Sequence, residues 1–273
     1  MYSENPNFIT RLLYILLVAI ARIRGHNFYS GPYSNWIQAQ QKSSGYNNEY
    51  ILNQAVVAQN EVLAGNAIYE RDTKLFYKEQ HNPHLLRALE LASAVEKKVP
   101  LNIIDFGGAF GSGFFQHRKP LQNYQPFSWN VIEQKIFVDK GQQLYQNQEL
   151  KFYENIEEVE AYATAQLFIL SSVLQYIEQP LTLLEKIVAI GPDFIFIDRT
   201  PFITQGKSLV TVQHVPAAIY KASYPSWLFS ENDIMSSLSE HYLLVSSFEA
   251  LDGRLSSGPF HINHRGFILA RKS

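Results

Sequence analysis

From Leu101 onward, short apolar runs take turns with segments whose apolar residues recur at helical spacing. Leu101–Phe106, Trp129–Glu133, Leu150–Tyr153, Leu167–Ser171 and Asp193–Asp198 read as strands. Gly113–Arg118, Ile136–Gln146, Ile156–Ala163 and Pro180–Ile190 read as helices between them. Such alternation predicts a mostly parallel sheet with crossover helices, an α/β fold of Rossmann-like type, and each connection is long enough for a right-handed crossover. After Asp198 the alternation lapses. A stretch rich in Tyr, Pro and Ser, at about 199–230, reads as an insertion without regular structure and is expected to act as a lid or substrate wall. Ser230 with Asp233 then opens a helix toward His241, and Tyr242–Phe248 and Gly266–Arg271 read as two closing strands.

Upstream the pattern is helical. Ile51, Leu52, Ala55, Val56, Val62 and Leu63 share a helical face. A second helix is expected from Pro83, a favoured first-turn residue, with Leu85, Leu86, Leu89, Ala92 and Val95 on one side and Lys97 and Lys98 at its end. These patterns divide the chain into a helical region over 1–98 and a Rossmann-like domain over 99–273. The apolar run Leu12–Ala21 has ten residues between arginines, short of the roughly 20 that span a bilayer. Met1–Asn7 lacks the basic residues of a signal peptide. A buried or subunit-contact helix, and with it a homo-oligomer, is expected there; peripheral contact with a membrane surface is the alternative.

With 273 residues, 46% of them hydrophobic, the chain can bury a sizeable core. A net charge of −2 lacks the basic excess of nucleic-acid binders, so no nucleic-acid partner is expected. The absence of cysteine removes disulfides, thiolate nucleophiles and cysteine-ligated metals, and suits a cytoplasmic location.

The chemistry concentrates where the first strand ends. Ile103-Ile104-Asp105-Phe106 runs into Gly107-Gly108-Ala109-Phe110-Gly111 and then a helix. Glycines there permit a sharp turn and the close approach of a ligand. A carboxylate at Asp105 would repel a pyrophosphate and suits a cofactor carrying an amino group. The second strand ends at Glu133, 22 residues after Gly111, about the interval at which Rossmann-type folds place an acid on the ribose hydroxyls.

The segments DFGGAFGSGFFQHR (Asp105–Arg118), WNVIEQ (Trp129–Gln134), LSSVLQYIEQP (Leu170–Pro180), IDRTPF (Ile197–Phe202), TVQHVP (Thr211–Pro216) and ASYPSWLFS (Ala222–Ser230) resemble a poorly characterised family of bacterial class I S-adenosylmethionine-dependent methyltransferases, often encoded near surface-polysaccharide genes. The resemblance runs from about Phe28 to the C-terminus. It implies S-adenosylmethionine as cofactor and an antiparallel C-terminal strand. The family's acid-x-Gly-x-Gly-x-Gly turn is matched at Asp105, Gly107 and Gly111, with Ala109 replacing a glycine and Gly108 beside it. By the same resemblance Glu133 would hold the ribose, Glu154, Asn155 and Ile156 would border the adenine, and Ser171 and Ser172 would line the methionine side.

Ligands of open α/β sheets lie beyond the carboxyl ends of the strands. Asp198, Arg199 and Thr200 end the fifth strand, and Gln213, His214, Tyr220, Tyr224 and Trp227 follow in the insertion. A hydroxyl acceptor must lose a proton as it attacks, which nominates Asp198 and His214 for catalysis, with Arg199 beside them. Arg199 in a structural ion pair is the competing reading. The remaining five are expected to meet a small-molecule or saccharide acceptor. Tyr69-Glu70-Arg71-Asp72 could clamp a ligand or form an internal ion-pair cluster. The pairs His81/His84 and His261/His264 lack carboxylates at ligand spacing, so no metal is expected. The leading function is O-methylation. A nicotinamide-dependent oxidoreductase shares the glycine turn and ribose acid, and a non-catalytic binding protein on the same fold is the third reading.

Overall fold

A strand such as Leu101–Phe106, apolar toward both faces, needs cover on both sides, which an α/β sheet provides. The structure, a computed structural model, describes residues 28–45, 48–95, 100–159, 164–204, 206–215 and 222–272. Its elements in chain order are β1 (Tyr29–Tyr33), α1 (Trp36–Lys42), α2 (Asn48–Leu63), β2 (Tyr69–Arg71), β3 (Lys74–Phe76), α3 (Pro83–Val95), β4 (Leu101–Phe106), α4 (Ser112–Gln116), α5 (Arg118–Leu121), β5 (Phe127–Ile132), α6 (Lys135–Leu144), β6 (Leu150–Tyr153), β7 (Leu167–Ser171), α7 (Pro180–Ile190), β8 (Phe194–Ile203), β9 (Leu209–His214), β10 (Ser223–Ser230), α8 (Glu231–Leu238), β11 (Tyr242–Ser257) and β12 (Phe260–Arg271). They fall into two compact units, between which the chain passes within β8, β11 and β12.

The larger unit comprises 47–200, 231–253 and 264–273. Its parallel strands lie in the order β6-β5-β4-β7-β8, with β12 beside β8 and paired to β11. From β4 the chain steps outward to β5 and β6, then returns to the other side of β4 for β7 and β8. The order therefore reverses between β4 and β7, the switch point at which open α/β sheets leave a crevice. Ile103, Ile104, Trp129, Phe152, Phe168 and Phe196 form the buried interior of this sheet.

The smaller unit comprises the described residues within 28–45, 201–230 and 254–263. In it β9 pairs antiparallel with β1 and β10, and β10 runs parallel to the end of β8 through Phe229–Phe202 and Ser230–Ile203. One face packs Tyr29, Leu228, Phe260 and Ile262; the other packs Ala39, Val210 and Val212 under Tyr33, Trp36 and Trp227.

Four expectations change. The stretch read as an unstructured insertion holds the second half of β8, which runs past Asp198 to Ile203, and β9 and β10, because Leu209-Val210-Thr211-Val212 is a β-favouring run and the polar residues that masked it are buried in pairs. Thr211 lies opposite Ser226 and its hydroxyl donates to the Ser226 carbonyl at 2.7 Å. The front region carries β1 and the β2–β3 hairpin besides its helices. The final strands extend to meet in one long hairpin through Gly258 and Pro259. Where a helix was expected over Ile156–Ala163, Ile156–Glu158 is a 3-10 turn, and 160–163 lie outside the described residues. The run Leu12–Ala21 also lies outside them; among the described residues no helix is long and apolar enough to cross a membrane.

Candidate functional site

The turn after β4 is built around three left-handed residues, Gly107, Ala109 and Gly111, at φ 76°, 50° and 85°. A left-handed conformation costs a side-chain-bearing residue roughly 1–2 kcal/mol, so glycine suits two of these positions and Ala109 carries some strain. Space is a second constraint. A Cβ on Gly107 would lie 2.4 Å from Val173 Cγ2, and one on Gly108 would lie 2.5 Å from Asp105 Oδ2. Gly107 thus clears room for the turn following β7, and Gly108 for the carboxyl beneath it.

Asp105 is buried, and its Oδ2 accepts from the Trp129 indole N–H at 2.9 Å. Burial pushes its pKa up to about 7, against the Trp129 bond that lowers it, while the charge of Glu133 adds to the rise. This side chain points beneath the turn.

Glu133, immediately after β5, crosses to the same turn. Its Oε1 accepts from Ala109 N–H at 3.3 Å and its Oε2 from Gln134 N–H at 2.8 Å. Burial raises its pKa, and the two backbone donors counter that rise. Each carboxylate oxygen offers a second lone pair for a further donor. Beyond β6, Glu154 and Asn155 are exposed, Glu154 pairs with Lys135 at 3.3 Å, and Ile156 is buried.

Across the switch point Ser171 lies beside Asp198 in register, and Ser172 N–H donates to the Asp198 carbonyl at 2.9 Å. The Asp198 carboxyl is buried. It accepts from Asn82 Nδ2 at 2.9 Å and from Arg199 N–H at 2.8 Å. Burial lifts its pKa to about 6, with these two bonds and the Arg199 charge opposing the lift. Thr200 is buried and donates back to the Asp198 carbonyl.

Arg199 takes up the ion-pair arrangement. Its guanidinium meets Asp72 at 2.8 Å and Asp252 at 2.9 Å. Burial works against its charge, yet the two aspartates outweigh it and raise its pKa. Asp72 sits at the tip of the β2–β3 hairpin, and its neighbour Glu70 accepts from the Ser112 hydroxyl and from Thr73 N–H. The Tyr69-Glu70-Arg71-Asp72 segment is therefore tied both to the helix that follows the glycine turn and to Arg199. Burial pushes the Glu70 carboxyl up to about 7.

The other nominated residues belong to the smaller unit, apart from Tyr220, which lies outside the described residues. His214 Nε2 shares a 2.8 Å hydrogen bond with Ser30 Oγ. Gln213 and Tyr224 face each other across β9 and β10, while Trp227 stacks on Trp36 with centroids 6.2 Å apart. The histidine pairs have other occupations: His81 bonds the Gln116 carbonyl, His84 stacks on Phe248, His261 meets Ser256 and His264 meets the Gly253 carbonyl. Among the described residues no three metal-ligating side chains converge.

No family model matches this chain, and no curated protein is similar to it. Solved structures do resemble its backbone trace. The N-terminal domain of EvdMO1, crystallised in the presence of SAH and D-fucose, matches with a TM-score of 0.49 and 11% identity over 83% of this chain and 98% of that one. An S-adenosylmethionine-dependent methyltransferase from Clostridium acetobutylicum matches at 0.46 and 8% over 83% and 100%. Burkholderia thailandensis 1,6-didemethyltoxoflavin-N1-methyltransferase, with bound 1,6-didemethyltoxoflavin and S-adenosylhomocysteine, matches at 0.40 and 14% over 84% and 92%. Likenesses this distant carry no argument about chemistry, which rests on the strand order and the side chains above.

Sequence reasoning missed two members of the constellation, Asn82 and Val173. Pro83 marked the start of α3, but nothing local singled out Asn82 or linked it to Asp198, 116 positions away. A cavity of about 660 Å³ lies elsewhere, at the far end of α4, between Ile68, His81, Phe115, Gln116, Arg118 and Lys119. It contains none of the residues nominated from the sequence.

Proposed function

We propose that this chain is an S-adenosylmethionine-dependent methyltransferase acting on an oxygen of a small-molecule or saccharide acceptor. The observation that carries the reading is the half-buried Glu133 carboxyl bonded across the glycine turn to Ala109 N–H at the switch point of the sheet. The donor set fits the cofactor. The Glu133 carboxyl faces the turn while Asp105 lies beneath it, and Lys135, two residues beyond Glu133, is paired with Asp139 and Glu154. Such a site suits ribose hydroxyls, and the family resemblance is what weighs against the oxidoreductase reading.

In this reading Glu133 accepts hydrogen bonds from the ribose hydroxyls, Gly107 and Gly111 allow close approach, and Asp105 supports the turn from beneath. Glu154, Asn155 and Ile156 border the adenine, and Ser171 and Ser172 the methionine side. When bound, the cofactor supplies an electrophilic methyl group. The chain's part is alignment and acceptance of a proton. Asp198, with a pKa near 6, is largely ionised at neutral pH and can take the acceptor's proton. Arg199 holds the β2–β3 hairpin through Asp72. His214, Gln213, Tyr220, Tyr224 and Trp227 remain the acceptor-side candidates, and a saccharide acceptor rests on the family resemblance. A cysteine-free chain suits a reducing compartment.

Transfer of a radiolabelled methyl group to a panel of glycan intermediates tests the reaction. Label in an acceptor, lost in Asp198→Asn, supports it; cofactor binding without transfer to any acceptor would favour a binding protein on this fold.

A further inference from the structure

Asn82 precedes Pro83 and caps α3: its Oδ1 accepts from His84 N–H at 3.0 Å and from Leu85 N–H at 3.4 Å. A cap needs only that oxygen. The other half of the amide points elsewhere, and Nδ2 donates to Asp198 Oδ2 at 2.9 Å. The Asn82 backbone is fixed in turn, because its N–H donates to His117 Nε2 at 2.9 Å. His117 is 1% exposed and its ring can accept at Nε2 only when neutral with the proton on Nδ1, which donates to the Gly113 carbonyl at 2.8 Å. Burial pushes the ring's pKa down to about 4, with His81 adding to the fall, so the neutral form persists at neutral pH.

A continuous polar chain thus runs from the Gly113 carbonyl, two residues past the glycine turn, through His117 and Asn82 to Asp198 in the middle of β8. With Arg199 N–H on the other oxygen, both oxygens of Asp198 are held and the carboxylate plane cannot turn freely. The charged groups acting on it are Arg199 and Asp252.

We propose that Asn82 is a positioning residue, whose side-chain amide orients the Asp198 carboxyl for proton acceptance while the neutral His117 ring fixes Asn82 against the helix of the glycine turn. This rests on the reading of Asp198 as the proton acceptor. It also separates two duties within one residue, since the cap uses Oδ1 and the orientation uses Nδ2.

Two substitutions divide those duties. Asn82→Ser keeps a good cap but is too short to reach Asp198. Asn82→Asp keeps the cap and turns a donor into a carboxylate facing Asp198, and like charges at this distance oppose joint ionisation. The readout is the carbon-13 NMR titration of Asp198, assigned with Asp198→Asn, alongside calorimetry with S-adenosylhomocysteine. The expected result is an upward shift of the Asp198 midpoint in both variants, by about one pH unit or more in Asn82→Asp, with both variants folded, a loss of stability above pH 6 that follows from the same shift, and unchanged ligand affinity. Once an acceptor is in hand, the acidic limb of kcat should move by the same amount. An Asp198 midpoint unmoved in both folded variants would overturn the proposal. Because the titration needs no cofactor, absence of S-adenosylhomocysteine binding to wild type would defeat the proposed function without touching this result.

Discussion

Replacing Gly107 by alanine adds one methyl group in a place where both backbone and packing object. The left-handed conformation at φ 76° costs a residue with a Cβ roughly 1–2 kcal/mol. The new carbon would lie 2.4 Å from Val173 Cγ2 and 2.8 Å from Val173 Cβ, and relieving such an overlap in a packed region costs about 1–3 kcal/mol. Against these, the loss of glycine's freedom in the unfolded chain returns about 0.4–1 kcal/mol. The expected net destabilisation is about 2–4 kcal/mol. Equilibrium denaturation of wild type, Gly107→Ala, Val173→Ala and the double variant measures it and separates the two causes. Val173→Ala removes the nearest methyl but keeps the valine's Cβ and leaves the backbone strain. The double variant should therefore be more stable than the sum of the singles by about 1–2 kcal/mol, within the range of contacting pairs. Strict additivity, or a Gly107→Ala cost below about 1 kcal/mol, would refute the close approach of these two turns.

Further outcomes follow from the buried charges. Glu70 has a folded pKa of about 7 against 4.5 for the free side chain, so the folded state holds the extra proton between those values. Its contribution is fully present below pH 4.5 and lost as pH rises through 7, a change of about 3 kcal/mol at 1.36 kcal/mol per unit. Glu70→Gln should accordingly gain stability over wild type between pH 5 and pH 8, and denaturant melts showing a constant difference would exclude this. Arg199→Ala leaves Asp252 without its partner, and because Asp72 is largely exposed the expected loss is only about 1–3 kcal/mol. If Arg199 instead acts on the acceptor, the variant will melt like wild type and lose turnover alone. Asp198→Asn should abolish most methyl transfer while S-adenosylhomocysteine affinity stays within a few-fold, as calorimetry and turnover together will read; lost affinity would put Asp198 on the cofactor side.

The strands from β4 to β8 were legible because each carries a short, mostly apolar stretch between helical patterns, and Pro83 and Pro180 marked their helices' first turns. Leu150–Tyr153 and Leu167–Ser171 kept the bounds read from the sequence. β9 and β10 were not legible, since Ser and Thr residues at buried positions mimic a loop until a partner strand satisfies them, as Ser226 does for Thr211. The glycine turn and Glu133 were readable from spacing alone. What spacing could not convey was the direction of the Asp105 carboxyl, which depends on Trp129 lying alongside in β5, or the reach of Asn82 to Asp198. Arg199 shows the same limit: its type and position fitted a catalytic role, and only the fold brings Asp72 and Asp252 to it.

The central claim is that the turn after β4 and the acid after β5 hold S-adenosylmethionine. Calorimetric titration of S-adenosylhomocysteine into wild type and Glu133→Ala, with NAD as the competing ligand, tests it most directly. Charged hydrogen bonds typically contribute about 1.5–3 kcal/mol, so the variant should bind ten- to a hundredfold more weakly than wild type while remaining folded. Wild type should bind S-adenosylhomocysteine in preference to NAD. No binding to wild type, a preference for NAD, or equal affinity of wild type and Glu133→Ala would contradict the account.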